Sequence, residues 1–305
     1  MTETALALDI GGGHVTAALV DLERRAVGAG LARLDLDPLA PAEVILNSWA
    51  NAALEALGAG VAPSRVGVAM PSPFEYAAGI SRMTHKFAAL YGVNVCEELR
   101  ARWSGTPLDG VPLLFGNDAD LFALGEWWNG VARGTSRVIG VTLGTGLGSG
   151  FVADGQVVTG GPDVPPEGEL WDTAYQGGIA EDFASGRAVT RAWAARGGQT
   201  LGAAEVAARA NGGDPSARAV LAELGAHLGA ILTPWARKFR PDCVVVGGNL
   251  ARAWKHFYPS LTAALPGVSC RVTADFERSS LLGAAALGGV GHSGHSLLPG
   301  GERAT

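Results

Sequence analysis

Cysteine is scarce in this chain of 305 residues. The three present, Cys96, Cys243 and Cys270, show no Cys-x-x-Cys spacing. That excludes a disulfide framework, offers no zinc site by itself and suits a reducing compartment. Charge is sparse too, at 17% of residues, and the net charge of −6 provides no basic field for nucleic acid. No uninterrupted apolar run approaches membrane-spanning length. The longest helical candidate, 217–239, is interrupted by Glu223, His227, Pro234 and Arg237. The opening Met-Thr-Glu-Thr does not read as a signal peptide, so a cytoplasmic location is expected. No Gly-Lys-Ser/Thr follows any glycine loop, which removes the Walker phosphate loop. Apolar residues and glycine are plentiful instead, at 48% and 45 residues. The first suffices for sizeable cores in one large or two smaller domains and argues against disorder. Much of the second lies in short loops after apolar strands.

The stretch 113–125, Leu-Leu-Phe-Gly-Asn-Asp-Ala-Asp-Leu-Phe-Ala-Leu-Gly, organises the rest. An apolar run at 111–115 has the length of a buried strand, and an amphipathic helix follows over 121–128, with Asp120 as its expected cap. Asp118 sits where strand hands over to helix. Ligands of open α/β sheets collect at such strand ends, and a carboxylate there can accept a proton from a substrate hydroxyl. Alone, Asn117 and Asp118 read equally well as turn residues.

Strands are also expected over 6–10, 15–21, 65–70, 138–143 and 243–246. Helices are expected over 42–57, 97–103, 179–193, 201–210, 217–239 and 281–287, with another restarting near Leu250. Residues 74–95 read as a long excursion, 160–178 as an irregular loop, and the tail from Gly288 as frayed. The hairpin around 11–13 superimposes without a gap on the one around 144–150, at an offset of 133 residues. Asp9 falls on Thr142, Gly11 on Gly144, Gly13 on Gly146, Thr16 on Ser149 and Asp21 on Asp154. Such a repeat is expected of a duplicated nucleotide-binding fold.

Three glycine-dominated loops follow apolar strands: Gly11-Gly12-Gly13, the run from Gly144-Thr145-Gly146 to Gly150, and Gly247-Gly248. Glycine lets backbone N–H groups approach a phosphate closely. One such loop serves any hairpin; three favour a polyphosphate ligand held between two domains. Thr145 could add a hydroxyl donor. Asp9 could orient Mg²⁺ through water, or simply cap a turn. The loop at 144–150 lacks the Gly-x-Gly-x-x-Gly spacing and is followed by a returning strand, which disfavours a dehydrogenase. Glu169 and Glu181 flank a glycine-rich loop. With Asn117 and Asp118 they could bind the hydroxyls of a polyol, although acidic residues at a helix start such as Glu181 are common. His85 and His256 suggest neither a metal site nor a triad; Trp127, Trp128, Trp171, Trp193 and the other tryptophans could stack on a sugar, but most read as core or interface residues.

Taken in order, these segments resemble the ROK family of sugar kinases and repressors, over roughly residues 4–290. Leu8 to Gly13 and Leu143 to Gly148 are similar to the two phosphate motifs. Gly116-Asn117-Asp118-Ala119-Asp120 is similar to the family's Asn-Asp-Ala-Asn segment. Gly168-Glu169-Leu170, Glu181 to Gly186, Val245 to Gly248 and Leu282 to Ala285 match its later motifs. The resemblance implies an α/β chain of two domains, the actin/hexokinase/Hsp70-like ATPase fold built from duplicated ribonuclease H-like domains around a cleft. It implies a small domain over 1–116, with 290–305 as a candidate to complete it, and a large one over 117–289. It implies ATP and Mg²⁺, a small-molecule sugar, a homodimer, Asp118 as catalytic base, and Asn117, Glu169 and Glu181 as sugar ligands. The loop from Ser72 to His85 would lie on the sugar side. Glucose, phosphorylated at its 6-hydroxyl, is the leading substrate. Another hexose, an N-acetylhexosamine, a cyclitol, polyphosphate as donor, or a non-catalytic sugar sensor are the alternatives. The family's zinc run, Cys-x-Cys-Gly-x-x-Gly-Cys-x-Glu with an upstream His, is replaced here by 172–181 without cysteine. No structural zinc is therefore expected, and packing has to hold that loop. The chain opens directly on its first strand, so a repressor with a leading helix-turn-helix is not expected.

Overall fold

Two glycine-rich turns fold the chain back on itself, and each starts a five-stranded sheet. A computed structural model describes residues 2–58, 61–197 and 200–289. The expected contribution of 290–305 lies outside them. In chain order the elements are β1 Thr4–Ile10, β2 His14–Asp21, β3 Ala26–Asp35, α1 Ala42–Leu57, β4 Val66–Met70, β5 Phe74–Glu75, β6 Ile80–Ser81, α2 Val95–Arg102, β7 Leu113–Asn117 and α3 Asp118–Asn129. Then come β8 Arg137–Leu143, β9 Leu147–Ala153, β10 Gln156–Val157, β11 Ala174–Tyr175, β12 Gly178–Ile179, α4 Gly186–Ala194, α5 Ala203–Asn211, α6 Pro215–Phe239, β13 Cys243–Gly247, α7 Trp254–Ala264, β14 Ser269–Val272 and α8 Phe276–Ala286.

The sheet orders are β3-β2-β1-β4-β7 and β10-β9-β8-β13-β14. In each, three antiparallel strands are followed by two parallel ones. The same order twice is the duplication that the repeat suggested. The repeat is nonetheless out by one residue in its second strand. Gly11 N–H closes the first turn on His14 O, whereas Gly144 N–H closes the second on Gly146 O. Asp9 therefore faces Thr16, but Ser149 faces Val141, and Thr142 faces Gly148. A one-residue slip exchanges the two faces of a strand. Ser149 consequently points away from α3, and Gly148 and Gly150 lie against it, where an added Cβ would meet Ala119 and the Asp120 backbone.

The two sheets enclose α3 and α8. Leu6, Leu8 and Ile10 pack under α1, while Ala5 and Ala7 share a core with Val138 and Val152 of the other sheet and with both helices. The outer core of the second sheet joins Ile139, Val141 and Phe151 to α6 and α7. Helix α6 is long and apolar enough to cross a membrane, by length and composition only; half of its most apolar window is buried.

Three edge strands, β3, β10 and β14, escape the sequence reading because half-solvated edges lack continuous apolar runs. Strand β7 ends two residues later than expected, pairing as far as Met70↔Asn117. Asp120 is not the cap of α3. Asn117 is, with its Oδ1 accepting from the N–H groups of Ala119 and Asp120 at 2.9 and 3.2 Å. The helix expected over 179–193 is broken: a 3₁₀ turn spans Ala180–Asp182, and α4 starts afresh where Ser185 Oγ accepts from Ala188 N–H.

Helices α3 and α8 touch backbone to backbone. A Cβ on Gly125 would lie 1.8 Å from Ser279 O, and one on Gly283 would lie 1.7 Å from Leu121 O. Beside the crossing, the fully buried Glu126 accepts from Ser279 Oγ at 2.7 Å, from Val131 N–H at 2.7 Å and from Thr273 Oγ1. Gly283→Ala should therefore destabilise the protein by about 3 kcal/mol or more, at or beyond the usual overpacking range, whereas Gly134→Ala meets open space and suffers only its left-handed φ. Chemical denaturation of both variants tests this; equal losses would mean that the crossing relaxes freely.

Candidate functional site

The C-terminal ends of β1 and β7 bring Asp9, Asn117 and Asp118 to one place. Asn117 is held at both ends of its amide: Oδ1 caps α3, and Nδ2 donates to Tyr76 Oη at 3.2 Å. Tyr76 in turn donates to Met70 O at 3.2 Å. Thus one residue of the 72–85 excursion reaches the motif. Asp118 opens α3, half-buried, with Oδ1 accepting from Ala119 N–H at 2.9 Å.

Glu169 is brought in by Ser149. The buried Ser149 hydroxyl donates to Gly168 O at 2.8 Å and accepts from Leu170 N–H at 2.9 Å, bracketing Glu169 from both sides. The slip in the repeat is what aims this hydroxyl at the loop.

The field at this place is strongly negative. Burial, then Asp118, then Glu277 push Asp9 up from its ordinary 3.8 to about 7, against the lowering effect of Arg33. Burial, Glu169 and Asp118 raise Asp120 well above its ordinary 3.8, and its Oδ1 has no hydrogen-bond partner among the described residues. Burial and nearby carboxylates, Asp118 among them, also raise Glu169 and Tyr76. The cations stand to one side. Arg33 lies across β2 from Asp9, in the row Asp9–Thr16–Arg33. Its Nη1 meets Glu277 Oε1 at 2.6 Å; Thr16 Oγ1 donates to the same oxygen, and His14 Nε2 is 3.6 Å from it. Burial, then Arg33, hold His14 below its ordinary value.

The expected phosphate glycines divide into two kinds. Gly12 and Gly144 face open space, with nothing within 4 Å of an added Cβ, and Gly13 meets only Leu36 O at 4.0 Å. Neither strain nor packing demands glycine there, and bare backbone fits the approach of phosphate oxygens. Gly11 abuts the His14 ring. Gly146, Gly247 and Gly248 are required by their neighbours: the Glu181 carboxylate, the Phe122 and Phe276 rings, and the Leu143 backbone respectively. Thr145 is exposed at the tip of its turn.

Glu181 is held at the second glycine loop. Its Oε2 accepts from Leu147 N–H at 2.9 Å, and its Oε1 pairs with Arg187. Packing holds the cysteine-free loop before it. Tyr175 Oη and His227 Nδ1 are 3.0 Å apart, and Phe183 packs against both rings. Asp182 accepts from Ile179 N–H at 3.2 Å. Among the described residues, no group of three or more His, Cys, Asp or Glu side chains is placed to hold a metal ion. Hollows of about 280 and 330 Å³ flank the β11–β12 hairpin against α6. Neither is lined by Asp9, Asn117, Asp118 or Glu169, so the site is assigned on its chemistry rather than on concavity.

Sequence reasoning missed Tyr76, Ser149 as a clamp, and the Arg33–Glu277 pair. Arg33 and Glu277 lie 244 residues apart and carry no local signal.

The family model described as "ROK family" matches residues 5–290. The chain is 27% identical over 273 residues to a glucokinase of Thermotoga maritima, covering 81% of this chain and 82% of that protein. It is 34% identical over 175 residues to an N-acetyl-D-glucosamine kinase of Haemophilus influenzae, covering 49% and 55%. Its fold matches a ROK family glucokinase from Streptomyces griseus, solved with glucose and AMPPNP, at a TM-score of 0.75 and 22% identity, covering 93% of this chain and 98% of that one. The two-domain ATPase-like α/β fold read from the sequence is thereby established.

Asp9 gives a stability test. An acid at about 7 instead of 3.8 holds its proton more tightly folded than unfolded. The contribution of Asp9 to stability is therefore greatest below about pH 4 and falls as the pH rises to 7, by on the order of 4 kcal/mol. Asp9→Asn lacks that loss. Its stability relative to the parent, measured by denaturation without nucleotide or Mg²⁺, should improve between pH 4 and pH 8. A constant difference would show that Asp9 titrates normally.

Proposed function

The chain belongs to the ROK family, and from that premise we propose that it is an ATP-dependent sugar kinase phosphorylating a primary hydroxyl, the 6-hydroxyl of glucose first among candidates. The observation that carries this reading is the convergence on Asp118. A half-buried carboxylate at a helix start follows Asn117 and feels both the buried Asp9, three residues before the bare turn at Gly12, and Glu169.

In this reading Asn117 and Glu169 orient the sugar by its hydroxyls. Asp118 accepts the proton of the reacting hydroxyl as its oxygen attacks the terminal phosphorus in line. The N–H groups of Gly12 and Gly13 and of Thr145 and Gly146 receive the phosphate oxygens of the nucleotide, with the Thr145 hydroxyl as an added donor, while those of Gly11 and Gly144 close the turns that present them. Mg²⁺, held through water near Asp9, would supply charge neutralisation; with it bound, Asp9 would ionise. Catalysis of this kind rests on positioning and electrostatics more than on covalent chemistry. The division at 116/117 is part of the same proposal, with the cleft where β7 passes into α3. Closure of the cleft would exclude water from the transfer.

The 34% identical N-acetyl-D-glucosamine kinase supports an N-acetylhexosamine as the second candidate acceptor. A coupled ADP-release assay with Mg·ATP across glucose, mannose, fructose, allose, N-acetylglucosamine, N-acetylmannosamine and a cyclitol tests the proposal. Asp118→Asn should lose about 10² to 10⁴ in turnover, the range of a general base, while sugar binding survives; near-normal turnover would remove Asp118 from the role. Gly12→Ala should keep its melting temperature and raise the KM for ATP about tenfold or more, since a methyl group would stand in the phosphate approach. An unchanged KM would place the nucleotide elsewhere.

A further inference from the structure

Trp171 ties the Glu169 carboxylate to the backbone of Glu181, the two acidic residues that flank the glycine-rich loop. Its indole Nε1–H donates to Glu169 Oε2, and its backbone carbonyl accepts from Glu181 N–H at 2.9 Å. Among the described residues no other donor reaches the Glu169 carboxylate. The ring itself is 39% exposed, one of few large apolar side chains left open. A buried tryptophan could be read as core; one hydrogen-bonded to a site carboxylate and open to solvent cannot. Its position follows Gly168-Glu169-Leu170, directly before the stretch 172–181 in which the cysteine run is missing.

We propose that Trp171 sets the acceptor specificity of the sugar site, positioning Glu169 through its indole N–H and walling the space beside that carboxylate so that an unsubstituted hexose is accepted and a 2-acetamido sugar is rejected. The proposal rests on the sugar-kinase reading. With Oε2 occupied by the indole, Oε1 is the oxygen left for a sugar hydroxyl. A fixed carboxylate binds that hydroxyl without first losing rotamer freedom. Any group attached at that hydroxyl position must share space with the largest side chain available. In this proposal the sugar carbon facing Glu169 is C2, so that a hydroxyl would fit there and an acetamido group would have to displace the ring. The exposed face also suits the apolar C–H face of a hexose, as aromatic rings with one polar edge commonly do.

Trp171→Phe keeps a ring and deletes the donor; Trp171→Gly deletes both. The parent should prefer glucose to N-acetylglucosamine by about 100-fold in kcat/KM, within the reach of a steric pocket. Trp171→Phe should raise the glucose KM about tenfold with kcat within about threefold, as expected for loss of a charge-assisted bond that orients the ligand group. Trp171→Gly should narrow the sugar preference about tenfold or more. Glucose titrated without ATP should change the intrinsic fluorescence of the parent and not that of Trp171→Phe. Robust glucose turnover with the same KM in parent and Trp171→Phe would overturn the role of Trp171 and leave the kinase reading standing. A glucose-dependent fluorescence change confined to the parent, with no phosphoryl transfer to any sugar, would sink the kinase reading and keep Trp171 in a sugar site. Neither binding nor turnover would remove both. The phenylalanine variant, near in size, keeps the test decisive if the glycine variant fails to fold.

Discussion

The backbone contact between α3 and α8 is the constraint on which the site depends. Two glycines let one helix carbonyl sit where the other helix would carry a side chain. Gly67 of β4 meets Ala284 in the same way, so α8 is also flush against the first sheet. Asp118 stands at the start of α3 and Glu277 near the start of α8. The crossing therefore fixes the separation between the proposed base and the carboxylate that organises Arg33, Thr16 and His14. Glu126 reinforces it from inside, with three hydrogen-bond donors on its carboxyl group. Removing a donor from such a buried polar group costs more than the bond appears to contribute, because desolvation is left uncompensated. A rotation about the crossing preserves these contacts, whereas a slide would drive Cα atoms into carbonyls. Hinge motion is thus the movement that the packing tolerates.

The sequence already exposes the parts of this arrangement that are local. Strands β1 and β8 begin and end at the same offset of 133 residues, Thr4–Ile10 on Arg137–Leu143. The strand-to-helix passage at Asn117 is visible in composition. What stays hidden depends on long range. Whether a glycine turn closes on its third or its fourth residue is not written in three glycines, yet it decides which face Ser149 takes. Edge strands are hidden because one side of them meets water. Tyr76 is hidden because nothing in an irregular excursion announces that its hydroxyl will meet an amide 41 residues away. Asp120 shows the opposite error: a good capping residue type, three residues from the right place, lost to an asparagine that already had the extended backbone a cap needs.

The loop that replaces a cysteine run is held by many small contacts. Ser149 brackets Glu169, Trp171 ties Glu169 to Glu181, and the Tyr175–His227–Phe183 cluster pins the hairpin to α6. Hydrogen bonds of this kind contribute about 0.5–1.5 kcal/mol each, against roughly 10–16 kcal/mol for a structural zinc. The sum is smaller, and it is spread over residues that also touch the site. Order in the loop and chemistry at Glu169 are therefore coupled: the contacts that hold the loop are the ones that set the carboxylate.

The electrostatics around Asp118 follow from burial on one side and openness on the other. A base has to be ionised to accept a proton, and like charges nearby oppose that. Asp9, Asp120 and Glu169 all surround Asp118, and burial is the leading cause of the upward shift in each. Each holds its proton to higher pH than a free carboxyl does. Asp120 is the extreme case: 8% exposed, with an oxygen that no donor satisfies. The family segment it resembles carries an asparagine there. A carboxyl that keeps its proton has the shape of that amide, with an O–H donor where the amide offers N–H. With its proton held, Asp120 replaces that amide without placing a further charge beside Asp118.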